Sequence, residues 1–259
     1  MKVLDLFSGI GGFSIGLEKA GFETVAFCEI EDYPRAVLRK HWPNTPIYRD
    51  IKQLTAEQLR ADGVIPDVIC GGYPCQPFSV AGKQLAEKDE RHLWPEVFRL
   101  IRSIRPRWVI CENVSGHIKL GFDEVATSLE DEGYAVWPFI IPACSVDAPH
   151  KRDRLYFVAH TNSDDRRDRS CTKSQDRQSR LEHRGGCERQ LIGGTSQTMA
   201  KFTGTNFGDG WPVEPSVGRV ANGVSNRTHR IKALGNAVVP QIPEIIGQTI
   251  MRYEMEKTL

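Results

Sequence analysis

One of the seven cysteines in the sequence lies in a setting that favours chemistry. Cys75 follows two glycines and sits between two prolines in the run Gly71–Pro77, and these residues restrict the backbone around the sulfur. Most free cysteines are small buried apolar residues. That interpretation fits Cys28, Cys70, Cys111 and Cys144. Cys75 instead occupies a rigid loop of the kind that carries catalytic groups, so it is a candidate nucleophile.

A carboxyl group and two arginines are predicted to lie near this thiol. Glu112 directly follows the predicted strand Arg107–Cys111, at the sheet edge where the cysteine loop also begins. A thiol and a carboxylic acid together suit nucleophilic addition with acid assistance. A free thiol titrates near about 8.5, so nearby positive charge is needed to form thiolate at neutral pH. Arg152 and Arg154 are candidates for that charge, and the alternative is a surface ion pair with Asp153 or a neighbouring acid.

A glycine-rich turn and two acids indicate a nucleoside-containing cofactor. The segment Phe7–Gly12 follows the first predicted strand, and its glycines let the backbone approach a ligand closely. Glu29 ends the second strand, where an acid can accept hydrogen bonds from both ribose hydroxyls. Asp50, after a short third strand, is suited to an adenine amino group. A dinucleotide is disfavoured because Ser14 occupies the third position of Gly-x-Gly-x-x-Gly, and the alternative is a purely structural turn.

The elements that must position these residues alternate between strands and helices. Strands are predicted at Lys2–Phe7, Thr24–Cys28, Ile47–Tyr48, Asp67–Gly71 and Trp108–Cys111. Helices are predicted at Phe13–Ala20, Pro34–His41, Ala56–Asp62 and Trp94–Ile104. This alternation is typical of an α/β fold with a parallel sheet, in which ligands bind beyond the carboxyl ends of the strands.

The second half of the chain changes character. Strands Tyr134–Ile141 and Leu155–Ala159 are predicted to pair around the loop 142–154, and an amphipathic helix is predicted at Pro240–Glu256. The stretch Thr161–Gln190 is rich in Arg, Asp, Ser and Gln, so it is either a solvated insert or a surface that faces nucleic acid. We expect a catalytic and cofactor-binding domain formed by residues 1–160 and 218–259, with a short irregular region, 161–217, beside it.

Bulk composition limits the class of protein. The net charge is +1 and the pI is about 7.6, so any nucleic-acid surface requires basic groups concentrated on one face. No apolar run approaches the roughly 18 residues that span a bilayer, and a soluble cytoplasmic protein is expected. An odd number of cysteines without a Cys-x-x-Cys pair argues against disulfides and zinc ribbons. Cys171, His183 and Cys187 are too loosely spaced to predict a metal site.

These motifs, taken together and in this order, resemble the cytosine-5 DNA methyltransferases of bacteria and phages. The motifs that carry the resemblance are Asp5–Gly12, Glu29, Asp50, Gly72–Ser79, Glu112–Val114, Arg152–Arg154 and Gly235–Val238. The resemblance implies a Rossmann-like sheet that binds S-adenosylmethionine, with a small irregular second domain. The chain departs from the family pattern at His150, where Gln is usual, and at Ala237, where Ser is usual. Its region 161–217 is also short for a target-recognition domain.

The resemblance assigns roles to individual residues. Cys75 is implied to attack carbon 6 of cytosine, Glu112 to hydrogen-bond and protonate N3, and Arg154 to contact the target nucleotide, with Arg152 beside them. Adding a thiolate at carbon 6 makes carbon 5 nucleophilic toward the cofactor's methyl group. The implied cofactor residues are Asp5, Phe7, Ser8, Gly9, Gly11, Gly12, Glu29, Ile30, Asp50, Ile51, Pro74, Asn236 and Val238.

Double-stranded DNA is the partner that the resemblance implies, with the target nucleotide flipped out of the helix. The polar segment Ser79–His92 is a candidate lid, and its alternative is an ordinary exposed connection. Candidate DNA contacts are Gln76, Ser79, Lys83 and Arg91. A monomer is expected, and a cognate restriction endonuclease is a candidate partner.

Two other functions remain as alternatives. One is an RNA cytosine-5 methyltransferase of the tRNA-modifying branch, but the Cys-Phe-Thr signature of that branch is absent from this sequence. The other is a non-catalytic DNA-binding or cofactor-binding relative. The joint retention of Cys75, Glu112 and Arg154 counts against a pure binding module, which has no use for these three groups.

Overall fold

The computed structural model describes residues 1–74, 93–161 and 227–257, and all of them belong to one compact unit. Seven strands in these ranges form one sheet in the order β3-β2-β1-β4-β5-β7-β6. The strands are β1 Lys2–Leu6, β2 Glu23–Cys28, β3 Ile47–Tyr48, β4 Val68–Gly71, β5 Trp108–Val114, β6 Ala135–Pro142 and β7 Asp153–His160. Strands β1 to β5 pair in parallel, whereas β7 runs antiparallel to both β5 and β6. The predicted α/β fold and the predicted β6–β7 pair are confirmed.

Eight α-helices and one 3₁₀ helix occur in the described ranges. The α-helices are α1 Gly12–Lys19, α2 Asp32–His41, α3 Ala56–Ala61, α4 Trp94–Ile104, α5 His117–Leu120, α6 Phe122–Asp131, α7 Arg227–Asn236 and α8 Gln241–Glu256. The 3₁₀ helix spans Ala143–Val146. Helices α1 to α4 and α8 were predicted from the sequence, whereas α5, α6 and α7 were not. None of the helices in the described ranges is long and apolar enough to span a membrane.

The central strands form because their side chains are apolar on both faces of the sheet. In β4, all four residues from Val68 to Gly71 are buried, and in β1 only Lys2 is exposed. Continuous apolar runs of this kind are typical of parallel strands covered by helices on both sides. Two apolar cores result, one on each face of the sheet, and they hold the carboxyl ends of the strands in fixed positions.

Strand β5 is longer than predicted, which changes the setting of Glu112. The sequence suggested an end at Cys111, but the ladder with β7 continues from Glu112 opposite Tyr156 to Val114 opposite Arg154. An antiparallel neighbour can extend a strand beyond the point where its parallel neighbour stops. Glu112 therefore lies within the sheet, and the first residues of β7 lie beside it at the same edge.

The last helix returns to the first one. A Cβ added at Gly16 of α1 would overlap the carbonyl oxygen of Pro240, and a Cβ at Gly247 of α8 would lie 2.8 Å from the Cβ of Ala20. The two helices approach this closely because both glycines lack side chains. This contact places the segment before α8 next to the start of α1.

We expect Gly16→Ala to lower the free energy of unfolding by about 1–3 kcal/mol, because the added methyl group must displace backbone atoms at Pro240. Urea unfolding measured by circular dichroism checks this. Gly116→Ala is the matched control, since a Cβ there meets no atom within 4 Å. Equal stability of the two variants would show that the close α1–α8 contact is not required.

Candidate active site

The glycine turn after β1 takes a backbone conformation that few side chains allow. Phe7, Gly9 and Gly11 all have positive φ angles, of 52°, 52° and 88°. The Ser8 hydroxyl donates to the carbonyl oxygen of Asp5 at 2.6 Å, and the Gly11 amide donates to that of Ser8 at 2.8 Å. A Cβ added at Gly9 would meet nothing within 4 Å, so open space lies above the turn. A ligand can therefore approach the backbone there.

Glu29 holds this turn against the end of β2. Its two carboxylate oxygens accept hydrogen bonds from the backbone amides of Gly9 and Glu31, each at 2.8 Å. The side chain is buried, and burial raises the pKa of the Glu29 carboxyl above its ordinary value, although the two amides oppose that shift. The next residue, Ile30, is an exposed apolar side chain at the same edge. The predicted cofactor residues of β1 and β2 thus lie together.

Asp5 lies beneath the turn and is fully buried. One of its carboxylate oxygens accepts a hydrogen bond from the Ser14 hydroxyl on α1 at 2.7 Å. Loss of solvation raises the pKa of Asp5 to about 7, against the opposing effect of the Ser14 hydrogen bond. Asp5 therefore links β1 to the helix that the glycine turn begins, and its charge depends on pH near neutrality.

The segment after β3 carries the predicted adenine contacts. The half-buried carboxylate of Asp50 accepts a hydrogen bond from the Lys52 amide at 2.9 Å, and Ile51 is buried. The Arg99 guanidinium on α4 donates to the carbonyl oxygens of Ile51 and Leu54, at 2.8 and 2.9 Å. Sequence inspection missed Arg99, because its acceptors are backbone atoms more than forty residues away.

The segment between α7 and α8 returns to the glycine turn. A Cβ added at Gly12 would lie 2.6 Å from the carbonyl oxygen of Val238, so the two backbones are in contact. Asn236 is exposed at the end of α7. The structure thus brings Val238 to the predicted cofactor residues of α1.

The predicted catalytic acid, Glu112, forms an ion pair at the ligand-binding edge of the sheet, where β5 pairs with β7. The Nε atom of Arg154 lies 2.9 Å from Oε1 of Glu112, and the two side chains are only 25% and 14% exposed. The second carboxylate oxygen of Glu112 would lie 3.0 Å from a Cβ at Gly72. The predicted alternative was a surface ion pair with Asp153 or a neighbouring acid; the partner of Arg154 is Glu112, and this pair lies mostly away from solvent. The Asp153 carboxylate instead pairs with Lys151 at 3.1 Å.

Burial raises the pKa of the Glu112 carboxyl, and the positive charges of Arg154 and Arg152 oppose that shift. The raised pKa favours a carboxyl group that can carry a proton toward neutral pH. A group with this property can donate a proton to a base held beside it.

Two further contacts fix the backbone that leads to Cys75. The side-chain amide of Asn113 donates to the carbonyl oxygen of Tyr73 at 3.2 Å, and the Tyr73 hydroxyl lies 2.8 Å from Nε2 of His117. Both rings are buried. Sequence inspection assigned no role to Tyr73 or His117, and the only signal for Asn113 was its place in Glu-Asn-Val. Pro74, the last residue described before Cys75, is exposed.

Several predicted residues lie outside the described residues. These are Cys75, Gln76, Ser79, Lys83 and Arg91, the candidate lid 79–92, the region 162–217, and the cysteines and histidine considered for metal, Cys171, His183 and Cys187. Among residues 1–74, 93–161 and 227–257, no group of three or more His, Cys, Asp or Glu side chains could hold a metal ion.

The raised pKa of Asp5 predicts a pH-dependent stability. A buried carboxyl that titrates near 7 when folded and near 4 when unfolded stabilises the fold below about pH 4, and this contribution is lost as the pH rises to 7. Asp5→Asn removes the titration while its amide oxygen still accepts from Ser14. The free energy of unfolding of the wild type, minus that of Asp5→Asn, should therefore fall between pH 4.5 and 8.

Urea titrations at several pH values measure this difference, in which the effects of Glu29 and Glu112 cancel. Asp131→Asn, at an exposed aspartate of α6, controls for the loss of one negative charge. A difference that is flat or that rises with pH would contradict the assignment of Asp5.

Solved structures of other proteins share this fold over part of the chain. The chain aligns with a putative DNA modification methyltransferase encoded within an Escherichia coli prophage, at 29% identity and a TM-score of 0.55, over 62% of this chain and 47% of that one. It also aligns with Spodoptera frugiperda DNMT2, at 26% identity and a TM-score of 0.53, over 68% of this chain and 53% of that one.

Relatives with known names point to the same family. The type II methyltransferase M.HgiBI of Herpetosiphon aurantiacus is 37% identical over 163 residues, which cover 61% of this chain and 36% of that protein. The type II methyltransferase M.Eco47II of Escherichia coli is 36% identical over 167 residues, which cover 62% and 39%. The matched part thus spans well under half of either relative. Because residues 1–202 match the family described as C-5 cytosine-specific DNA methylase, the chain belongs to that family.

Proposed function

We propose that this protein transfers a methyl group from S-adenosylmethionine to carbon 5 of cytosine in duplex DNA. The observation that carries the proposal is the contact between Glu112 and Gly72. It brings a partly buried, arginine-paired carboxyl group to the backbone three residues before Cys75, at the edge where the glycine turn also lies.

The residues at the glycine turn fit this cofactor. S-adenosylmethionine carries a positive sulfonium, and Asp5, Glu29 and Asp50 supply carboxyl groups at this end of the sheet. The open space above Gly9 admits a ligand against the backbone. The proposed binding residues are Asp5, Phe7, Ser8, Gly9, Gly11, Gly12, Glu29, Ile30, Asp50, Ile51, Pro74, Asn236 and Val238. When bound, the cofactor supplies an electrophilic methyl group.

The protein's own part in the reaction is to make the cytosine ring nucleophilic. In the proposed mechanism the Cys75 thiolate forms a bond to carbon 6, and the electron pair of the 5,6 double bond shifts into the ring. Glu112 donates its proton to N3, which prevents negative charge from accumulating on the ring. Carbon 5 then forms its bond to the methyl group as the sulfur–methyl bond breaks. Water takes the carbon 5 proton, the electron pair of that C–H bond restores the 5,6 double bond, and the bond from carbon 6 to sulfur breaks to release the Cys75 thiolate. N3 returns its proton to the Glu112 carboxylate. Covalent catalysis of this kind divides one difficult step into easier ones.

Arg154 orients the acid in this scheme. Its 2.9 Å contact fixes one Glu112 oxygen, and the guanidinium also donates to the Asp153 carbonyl oxygen at 2.9 Å. Such a short charge-assisted contact has a defined direction, so the second Glu112 oxygen is held toward Gly72. We propose that this oxygen faces N3 and that Arg154 also contacts the target nucleotide.

DNA is the proposed substrate because the chain belongs to the family of C-5 cytosine-specific DNA methylases. A stacked cytosine is inaccessible, so the target nucleotide must leave the helix. Proposed contacts are Gln76, Ser79, Lys83 and Arg91, with residues 161–217 as the target-recognition region beside a catalytic domain of residues 1–160 and 218–259. We further propose a cytoplasmic monomer that can accompany a restriction endonuclease, since relatives bear the names of type II methyltransferases.

Cys75→Ser should abolish methyl transfer, because a serine hydroxyl is far less ionised than a thiol at neutral pH. Transfer of radiolabel from S-[methyl-³H]adenosylmethionine to duplex DNA measures the rate. Cys144→Ser is the matched control and should keep full activity, since Cys144 is exposed, contrary to the buried position expected from the sequence. DNA that contains 5-fluorocytosine should trap the wild type covalently but not Cys75→Ser. An unchanged rate in Cys75→Ser would refute the nucleophile.

The same assay separates the alternatives. Label on transfer RNA but not on duplex DNA would favour an RNA cytosine-5 methyltransferase. Binding of DNA or cofactor without any transfer would favour a non-catalytic relative. Bisulfite sequencing of DNA from cells that express the protein would identify the methylated sequence.

Glu112→Gln should lower kcat at least about 100-fold, because an amide cannot supply the proton to N3. DNA affinity in a gel-shift assay and cofactor affinity should stay close to those of the wild type. Glu130→Gln, at an exposed glutamate on α6, is the control for charge. A kcat within threefold of the wild type would rule out Glu112 as the acid.

A further inference from the structure

The side chain of Arg152 forms hydrogen bonds with a distant part of the backbone. Its two terminal nitrogens donate to the carbonyl oxygens of Gly235 at 2.7 Å and Ala237 at 3.2 Å. These acceptors lie 83 and 85 residues further along the chain, in the last turn of α7 and in the segment that follows it. A planar guanidinium can hold two carbonyl oxygens in a fixed geometry, which a lysine ammonium cannot reproduce.

The backbone of Arg152 is also unusual. Its φ is +38°, in a region that non-glycine residues rarely occupy and that costs of order 1–3 kcal/mol. Such a conformation persists only when surrounding contacts over-determine it. Two features supply such contacts. The guanidinium donates two hydrogen bonds to the backbone at and after the end of α7, and β7 begins at the residue that follows Arg152.

These bonds lie between the two halves of the proposed site. On one side, Arg152 is two residues from Arg154, which pairs with Glu112. On the other side, the segment that Arg152 holds continues into Val238, whose backbone contacts Gly12 in the glycine turn. A continuous path of contacts therefore runs from the catalytic acid to the cofactor turn through Arg152.

The other attachments of α7 are on the protein surface. Lys232 pairs with Glu31 at 2.7 Å, and both side chains are substantially exposed. His229 stacks on Tyr33 with ring centroids 6.3 Å apart. Exposed ion pairs contribute little to stability, so the two hydrogen bonds of Arg152 are the directional contacts that hold the end of α7, beside the apolar packing of Ala233 and Val239.

We propose that Arg152 is a positioning residue that holds the Gly235–Val238 segment against the glycine turn and thereby sets the affinity for the cofactor. The inference rests on the proposed function and deepens it. It differs from the expectation drawn from the sequence, in which Arg152 supplied positive charge to the Cys75 thiolate. Both terminal nitrogens of the guanidinium already donate to carbonyl oxygens.

The test compares the full-length protein with Arg152→Gln and Arg152→Lys. The equilibrium dissociation constant of S-adenosylmethionine, measured by calorimetry without DNA, should rise about tenfold or more in Arg152→Gln, because the segment loses two charge-assisted hydrogen bonds. Arg152→Lys should recover only part of the affinity. Lys151→Gln, at the exposed neighbour that pairs with Asp153, is the matched control and should bind as the wild type does.

A second measurement does not require cofactor. Amide hydrogen exchange in the peptide that spans residues 235–242 of the cofactor-free protein should become faster in both Arg152 variants and stay unchanged in Lys151→Gln. The loss should appear in KM for the cofactor more than in kcat, and Arg152→Lys, which keeps the positive charge near Glu112, should keep the pH profile of the wild type. If Arg152→Gln does not fold, Arg152→Lys carries both measurements.

Three results would overturn the inference. One is wild-type affinity for the cofactor in the Arg152 variants, and another is unchanged exchange in residues 235–242. The third is a loss of cofactor affinity in Arg152→Gln that Arg152→Lys recovers completely, which would assign the effect to positive charge and not to the two hydrogen bonds. A wild-type protein that fails to bind S-adenosylmethionine would refute the proposed function, and the exchange measurement would still decide whether Arg152 holds the segment.

Discussion

The antiparallel pairing of β7 with β5 is the constraint on which the rest of the site depends. Parallel strands deliver only their carboxyl ends to the ligand-binding edge, but an antiparallel strand delivers its beginning to that edge. Because β7 starts there, Arg154 lies opposite Val114 in the ladder and reaches Glu112 with its side chain. Arg152, the loop residue just before β7, donates a hydrogen bond to the backbone at the end of α7. One reversal of strand direction thus joins the acid, its arginine and the α7–α8 segment.

The glycine turn is held by the Glu29 carboxylate, a group that can also bind a ligand. Glu29 accepts one backbone amide on each oxygen, and each carboxylate oxygen has a further lone pair available. The same side chain can therefore fix the turn at Gly9 and accept ribose hydroxyls without breaking its internal bonds. A carboxylate that is already oriented by the fold loses little freedom when a ligand arrives, which favours binding.

The fold was largely predictable because apolar runs and helical periodicity are local signals. The strands that end at Leu6, Cys28 and Gly71 were predicted to within one residue of their carboxyl ends. Helix Phe122–Asp131 was missed although its apolar residues recur at helical spacing; it follows the short helix α5 after a single residue, Gly121. The extension of β5 to Val114 was not predictable from β5 itself, since it depends on a partner strand about forty residues later. No sequence pattern predicts the contacts of Arg99 and Arg152 with distant carbonyl oxygens.

The buried acids at the two ends of this edge differ in what offsets their burial. At Asp5 and Glu29 the offset comes from hydrogen bonds, donated by the Ser14 hydroxyl and by backbone amides. At Glu112 it comes first from the positive charge of Arg154. Hydrogen bonds orient a carboxylate but do not neutralise it, so Glu29 can still attract a cation, whereas the charge of Asp5 depends on pH near neutrality. A neighbouring arginine neutralises the charge of Glu112, so this end of the edge is suited to a neutral ring and to proton transfer. The fold thus separates a site for a positively charged ligand from a site for acid chemistry along a single edge of the sheet.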